Sequence, residues 1–196
     1  MKRCSIARRT FLLGLVATSV SGCGYPLALG SPRVSYTVRR TVDPRYRRTR
    51  VAYKTDESPG TIVVNTEERY LYAVEPDGWA TRYGVGVGEQ GLTLKGVAKI
   101  GNKAEWPSWR PTESMMRRKP RLVQYADGVP GGPENPLGAR ALYLYQGGRD
   151  TMFRLHGTNE PWTIGTAVSS GCVRLTNEDI IDLYDRTPVG TKVVLI

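Results

Sequence analysis

Histidine and cysteine are scarce in this sequence. Its 196 residues include one histidine and three cysteines. Beyond the first 23 residues only His156 and Cys172 represent these two types. One cysteine and one histidine make a poor metal site, because protein zinc centres use three or four such ligands. We therefore expect no metal centre.

Long apolar runs and helical periodicity are also missing. The apolar run at residues 11–20 is too short to span a bilayer as a stable helix. Elsewhere short β-branched runs alternate with turn residues, in a sequence that has 22 glycines, 13 prolines and 11 tyrosines. No internal repeat is visible. This composition favours one mainly β domain with a sizeable core.

The net charge of +10 is distributed unevenly along the chain. Residues 1–23 contribute four bases and no acid, and residues 31–54 contribute eight bases and one acid. Residues 55–196 contain 16 bases and 17 acids, so that this part is nearly neutral. A nucleic-acid-binding protein would carry its basic patch on the folded domain. We therefore expect no nucleic-acid partner.

Residues 1–23 have the layout of an export signal, with a basic start, an apolar run and then small residues. Arg8 and Arg9 resemble a twin-arginine signal, although Ala7 stands where Ser or Thr is usual, so Tat and Sec export both stay open. Residues 20–23 resemble the lipobox of bacterial lipoproteins. Lipidation at Cys23 would anchor the protein to a membrane in the periplasm or cell envelope. The alternative is an ordinary signal peptide that ends near a cysteine.

Residues 24–58 are short of apolar periodicity and rich in arginine, which predicts a basic, flexible linker. Fully extended, about 30 residues reach roughly 100 Å. Such a linker would be attracted to anionic lipid or to anionic cell-wall polymer. The alternative is a spacer that binds nothing. Residues 59–196 would then form the folded domain.

The order of the predicted elements in residues 59–196 follows from their patterns. Residues 61–65 and 70–74 predict a hairpin, and residues 80–87 and 96–106 predict further strands, followed by a loop at 107–124. Thr176 suits a helix N-cap, with Asp179 three residues on. The short helix would end before Pro188, and residues 192–196 predict a buried closing strand.

The stretch 151–177 contains both His156 and Cys172. Each lies among small and turn-forming residues, where the backbone can approach a substrate and no bulky side chain shields the sulfur. A thiol is a useful nucleophile only as a thiolate, and a histidine could serve as its base. The residues alone support a catalytic pair and two unrelated structural residues equally, because spacing along the chain does not fix distance.

The residues around this pair form a composite motif: HGTN at 156–159, IG at 164–165, SSGCVRL at 169–175 and Asn177. This motif resembles the signature of the L,D-transpeptidase catalytic domain, the YkuD domain, over residues 59–196. The resemblance implies a mainly β fold, a β-sandwich or barrel with a short C-terminal helix and active-site loops.

The resemblance also implies roles for individual residues. Cys172 would be the nucleophile, His156 its proton acceptor and donor, and the backbone carbonyl of Gly157 the orienter of His156. The backbone N–H groups of Gly171 and Cys172 are candidates for an oxyanion hole, because the Ser-Gly run permits a tight turn that points them inward. Family members commonly have a second histidine where this sequence has Ser170, so His156 is here the sole candidate imidazole.

Four further residues are candidates for substrate contact. Arg174 could bind a substrate carboxylate or hold the loop through an internal ion pair, and both alternatives stay open. Asn159, Tyr143 and Ser170 are the others.

The implied activity is two-step acyl transfer in peptidoglycan biosynthesis, without a cofactor, which would affect cell-wall biogenesis and cell shape. Cys172 would form a thioester with a stem tetrapeptide and transfer it to an amine. The acceptor would be another stem peptide, in a 3-3 crosslink, or an envelope protein. One alternative is a cysteine hydrolase of peptidoglycan or of protein-peptidoglycan links, and another is a peptidoglycan-binding lipoprotein without catalysis.

Overall fold

A nine-stranded sheet organises the part of the chain that the computed structural model describes, residues 41–89 and 93–196. The strands are β1 (Thr49–Ala52), β2 (Ile62–Asn65), β3 (Tyr70–Val74), β4 (Trp79–Gly84), β5 (Val87–Gly88), β6 (Gly96–Glu105), β7 (Arg140–Gln146), β8 (Arg149–His156), β9 (Ala167–Ser169), β10 (Val173–Arg174) and β11 (Lys192–Leu195). The α-helices are α1 (Glu113–Arg118) and α2 (Asn177–Asp185). Four 3-10 turns lie at Pro44–Tyr46, Pro76–Gly78, Pro120–Tyr125 and Pro161–Thr163.

The strand order of the large sheet is β1-β4-β3-β2-β11-β6-β7-β8-β10. Its neighbours pair antiparallel except β11 with β2 and β10 with β8, which are parallel. Strands β5 and β9 form a separate parallel pair. The expectation of a mainly β fold with a short C-terminal helix is confirmed.

The core lies between the large sheet and helix α2. Thr176 caps α2 as predicted, with its side-chain oxygen accepting from the Asp179 N–H at 3.0 Å. Ile180 and Leu183 lie three residues apart on the face that α2 buries in this core. Each such side chain contributes about 1.5–3 kcal/mol through removal of its apolar surface from water. The core also includes Leu71, Tyr83, Ile100, Leu142, Leu155 and Val193.

The hairpin and the closing strand lie where the sequence predicts them. In the β2–β3 turn the Asn65 side chain accepts from the backbone N–H of Glu67 and Glu68, at 3.1 and 3.0 Å. Strand β11 lies between β2 and β6, so both of its edges are hydrogen-bonded. That position explains why the last residues form a nearly continuous apolar run.

The predicted flexible linker, residues 24–58, needs correction at its C-terminal end. Strand β1 lies within that range and pairs with β4 at the edge of the sheet. Tyr46 packs against Gly84 and Gly165, where an added Cβ would clash with it. The strand was missed because three of its four residues are exposed, so it has no apolar alternation.

The predicted loop at 107–124 contains helix α1 and the beginning of the turn at Pro120–Tyr125. Thr112 caps α1 by accepting from the Met115 N–H at 3.2 Å. The export signal, Cys23 and the linker up to residue 40 lie outside the described residues. In the part of the chain described here, no helix has the length and apolar character needed to cross a membrane.

Candidate active site

Two parallel strands bring the candidate nucleophile and base together. Strand β8 ends at His156, and β10 begins directly after Cys172. Their pairing sets Val173 beside Leu155 and Arg174 beside His156. His156 and Cys172 consequently line one cavity of about 220 Å³, together with Met152, Ser170, Arg174 and residues of the α1 segment.

His156 is buried, with 4% of its surface exposed. Its Nδ1 lies 2.5 Å from the carbonyl oxygen of Gly157. Because a carbonyl only accepts, Nδ1 carries the ring proton and Nε2 is left as the acceptor nitrogen. The Gly157 oxygen thus occupies the place that an orienter of the imidazole requires.

The charge state of His156 follows from its surroundings. Burial lowers its pKa to about 3, and the positive charges of Arg174 and Arg154 act in the same direction. The hydrogen bond to Gly157 opposes this shift without overcoming it. The imidazole is therefore neutral at neutral pH, which is the form that can accept a proton.

Asn177 supports the His156 loop from the start of helix α2. Its Oδ1 accepts from the backbone N–H of Ala139 at 2.9 Å. A Cβ on Gly157 or Gly138 would overlap this same oxygen. Only glycine leaves room for the amide, so the three segments pack directly on one another. Asn177 belongs to the motif, but its role could not be assigned from the residue pattern.

Cys172 is half-buried, and its Sγ lies 3.9 Å from the carbonyl oxygen of Met152. Burial raises the pKa of the Cys172 thiol, while the backbone N–H of Arg154 and the guanidinium groups of Arg154 and Arg174 oppose this rise. In the resting site Cys172 is therefore a protonated thiol, and the imidazole of His156 beside it is neutral. A thiolate would form only as the proton moves to His156.

The turn before Cys172 is closed by Ser169. Its hydroxyl donates to the carbonyl of Cys172 at 2.6 Å and accepts from the backbone N–H of Gly171 at 3.1 Å. Gly171 has φ 128°, in the region that favours glycine. Its N–H thus donates to Ser169 within the turn, and it would have to exchange this partner to bind an oxyanion; the predicted oxyanion-hole role stays a prediction. Ser169 itself had not been singled out from the sequence.

Arg174 makes an internal ion pair. Its Nη1 lies 3.1 Å from Oε2 of Glu160, and its backbone exchanges hydrogen bonds with that of Gly86. The structure therefore shows the loop-holding alternative. The side chain also lines the cavity beside Cys172, and Glu160 engages only its Nη1, so a substrate carboxylate could use the remaining N–H donors of the guanidinium or compete with Glu160.

A second cavity, of about 540 Å³, adjoins the first and shares Ser170 and Arg174 with it. Its lining carries both charge signs, from Lys119, Arg121, Glu134 and Glu160. Asn159 also lines it, with its amide donating to the carbonyl of Glu134 at 2.9 Å. The structure thus places Ser170 and Asn159 at this pair of cavities.

Tyr143 lies elsewhere. Within the described residues it belongs to the lining of neither cavity, and its ring lies under the guanidinium of Arg154 at 4.1 Å. The sequence could not show this, because Tyr143 faces Arg154 only through the register of β7 with β8. Its expected substrate contact is not supported by this placement.

The described residues, 41–89 and 93–196, contain no group of three or more His, Cys, Asp or Glu side chains that could hold a metal ion.

A mainly β fold, with a histidine at the end of one strand and a cysteine directly before the parallel strand beside it, defines the class of protein. The chain belongs to the family of the L,D-transpeptidase catalytic domain, YkuD, whose family model matches residues 59–195.

Two curated relatives come from Escherichia coli (strain K12). One, described as "Probable L,D-transpeptidase ErfK/SrfK", is 39% identical over 139 residues, which are 69% of this chain and 43% of that protein. The other, "Probable L,D-transpeptidase YbiS", is 39% identical over 140 residues, which are 69% of this chain and 44% of that protein. This chain spans less than half the length of either.

Two solved structures have a similar fold. A Brucella melitensis protein, described as "Probable carnitine operon oxidoreductase caia", is 49% identical with a TM-score of 0.54, over 80% of this chain and 98% of that one. A mutant of Enterococcus faecium L,D-transpeptidase is 15% identical with a TM-score of 0.50, over 71% of this chain and 50% of that one. The latter supports the fold alone.

The first structure is described as an oxidoreductase, but Gly84, Gly86 and Gly88 of this chain do not form a dinucleotide-binding fingerprint. A dinucleotide-binding fingerprint places its glycines in a turn from a strand into a helix. Here Gly84 ends β4, Gly86 pairs with Arg174, and Gly88 ends β5. These glycines therefore serve strand packing.

Proposed function

We propose that this chain is an L,D-transpeptidase that acts on peptidoglycan stem peptides through Cys172. The observation that carries the proposal is the cavity that His156 and Cys172 share, with Nδ1 of the imidazole held by Gly157. That hydrogen bond leaves Nε2 as the proton acceptor of the ring.

In the first step Nε2 of His156 takes the thiol proton, and Sγ attacks the carbonyl carbon of the third residue of the donor peptide. The C–N bond breaks, the proton passes from His156 to the leaving amine, and a thioester forms on Cys172. The low pKa of His156 makes its imidazolium a strong acid, which suits it for returning the proton to the leaving amine.

In the second step an acceptor amine attacks the thioester. Its proton passes to His156, the C–S bond breaks, and the proton returns to sulfur. The second cavity supports transfer over hydrolysis, because a peptide acceptor needs space beside the thioester and would displace water from it. The acceptor would be another stem peptide or an envelope protein.

The same proposal includes the cell envelope as the place of action. A peptidoglycan substrate lies outside the cytoplasm, which agrees with an export signal at residues 1–23. Lipidation of Cys23 would fix the protein to a membrane. Globomycin-sensitive processing and mass spectrometry of the mature N-terminus test this part separately.

The test of the activity is incubation of the purified protein with disaccharide-tetrapeptides, followed by mass spectrometry of the protein and of the muropeptides. Cys172→Ser is the matched control, since it preserves the size of the side chain. We expect an acyl adduct on Cys172 and a crosslinked product in the wild type only. Trimmed stems without crosslinks would indicate a hydrolase. An unmodified Cys172 with unchanged muropeptides would refute catalysis.

A further inference from the structure

Cys172 faces an irregular part of strand β8. Arg154 pairs with Tyr143 and Asp150 pairs with Tyr145, so two steps along β7 correspond to four along β8. The extra residues form a bulge in which Met152 has φ 63°. A methionine in the left-handed region is strained, so the surrounding contacts must hold it there.

The backbone of this bulge meets the sulfur on both sides of Phe153. The Met152 carbonyl accepts from Sγ at 3.9 Å, and the backbone N–H of Arg154 donates to the sulfur. The carbonyl can accept a hydrogen bond from the protonated thiol, whereas the N–H can donate one to the thiolate. The position of the bulge therefore affects both charge states of Cys172.

The side chain of Asp150 binds the two ends of the bulge together. Its Oδ1 accepts from the Met152 N–H at 2.8 Å, and its two oxygens accept from Nη1 and Nη2 of Arg154 at 2.6 and 2.8 Å. The guanidinium lies on the ring of Tyr143 at 4.1 Å. The Arg154 side chain is only 11% exposed, so solvent screens this pair weakly.

We propose that Arg154 is a positioning residue for Cys172, and that its bidentate pair with Asp150 and its stacking on Tyr143 fix the bulge whose backbone contacts the sulfur. The inference rests on the proposed nucleophilic function of Cys172. It assigns to Tyr143 a supporting role in place of substrate contact.

Arg154 and Asp150 could act on Cys172 through their charges alone or by holding the bulge in position. The two explanations predict different rates in variants of these residues, which makes the proposal testable. The groups whose charges act on the pKa of the Cys172 thiol are Arg154, Arg174 and Asp150, and His156 and Arg118 line the same cavity. The carboxylate of Asp150 raises the pKa of the Cys172 thiol, so Asp150→Asn should speed its ionisation if only charge matters. Arg154→Lys keeps the charge and should then change nothing. If geometry matters, both variants slow the reaction, because lysine cannot form the bidentate, stacked pair.

The experiment measures the rate of Cys172 alkylation by iodoacetamide from pH 5 to pH 10 in the intact protein. We expect Arg154→Lys and Asp150→Asn each to lower the rate near neutral pH by roughly tenfold, the effect of one lost hydrogen bond to a charged sulfur, and to move the midpoint to higher pH. Wild-type or faster rates in both variants would overturn the proposal.

The matched controls are Arg50→Lys and Glu75→Gln. Arg50 is likewise paired with a carboxylate, at 2.7 Å from Glu75, and stacked on an aromatic ring, at 4.5 Å from Trp79. We expect both controls to keep the wild-type pH profile. An equal slowing in the controls would contradict a specific role for Arg154.

Unfolding is separated from mispositioning by a second variant and a reference rate. Tyr143→Leu removes the ring and keeps the ion pair, so we expect a smaller slowing in the same direction. The rate in 8 M urea gives the value for an exposed thiol. A wild-type rate that His156→Gln leaves unchanged would count against the catalytic pair itself, whereas a wild-type rate that depends on His156 with unaffected Arg154 and Asp150 variants would overturn only the role of Arg154.

Discussion

The two edges of the large sheet carry the same trio of groups in different surroundings. Near β1, Arg50 stacks on Trp79 and pairs with Glu75, and its side chain is 58% exposed. Near β10, Arg154 stacks on Tyr143 and pairs with Asp150, and its side chain is 11% exposed. An exposed ion pair contributes about 1 kcal/mol or less, because water screens it.

This difference shows how burial changes the role of an arginine that is paired with a carboxylate and stacked on an aromatic ring. At the β1 edge Arg50 lies on an exposed strand, where charged side chains disfavour pairing with another chain. At the β10 edge the same groups lie beneath the backbone that contacts Cys172. An arginine paired with a carboxylate and stacked on an aromatic ring therefore lies on an exposed strand at one edge, and next to the proposed reactive site at the other.

The largest expected effect comes from removing the base at the β10 edge. His156→Gln should lower the rate of acyl-adduct formation on Cys172 by roughly 10²–10⁴-fold, the usual contribution of a general base. Time-resolved mass spectrometry with a carbapenem as acyl donor measures this rate. A variant that acylates at the wild-type rate would remove His156 from the mechanism.

The second prediction concerns stability against pH at the same edge. Between pH 6.5 and about 3 the unfolded chain protonates His156 while the folded chain does not. The unfolded state then binds more protons, so the free energy of unfolding falls as the pH decreases through this window, by as much as a few kcal/mol. Urea denaturation at several pH values should show this slope in the wild type.

The control for this slope is His156→Gln, which cannot titrate. Its stability should depend less on pH across the same window. Parallel curves of stability against pH for the two proteins would mean that the buried imidazole does not cause the slope. The two edges would then differ less in the effect of burial than the structure indicates.

The smallest expected effect lies at the opposite edge. Tyr46→Ala removes the ring that packs on Gly165, and we expect a loss of roughly 1–3 kcal/mol in the free energy of unfolding, since Tyr46 is half-buried. The acylation rate of Cys172 should stay within twofold of wild type. A large loss of activity in a folded variant would show that the β1 edge also supports the site.

The sequence predicted those parts of the fold that carry a local pattern. The β2–β3 hairpin and the β11 strand combine apolar runs with turn residues, and the cap of α2 lies within three residues of its partner. Strand β1 was missed because its pairing with β4 depends on backbone hydrogen bonds and on charged side chains.

The site was predictable to the extent that its residues lie close together along the chain. His156 and Cys172 were found because one short motif contains both. Asn177 was missed because its partner, Ala139, lies 38 residues away. The occupied N–H of Gly171 was missed because it depends on the rotamer of Ser169, which no sequence pattern specifies.

The link between Asn177 and Ala139 also bears on the order of folding. It closes a loop of 38 residues, and the pairing of Gly86 with Arg174 closes a much longer one. Contacts between such distant residues form slowly, since the entropy of loop closure must be overcome first. Until they form, the thiol lacks both the imidazole and the bulge. We therefore expect Cys172 to behave as an ordinary cysteine during synthesis and refolding, and to acquire its reactivity together with the last tertiary contacts.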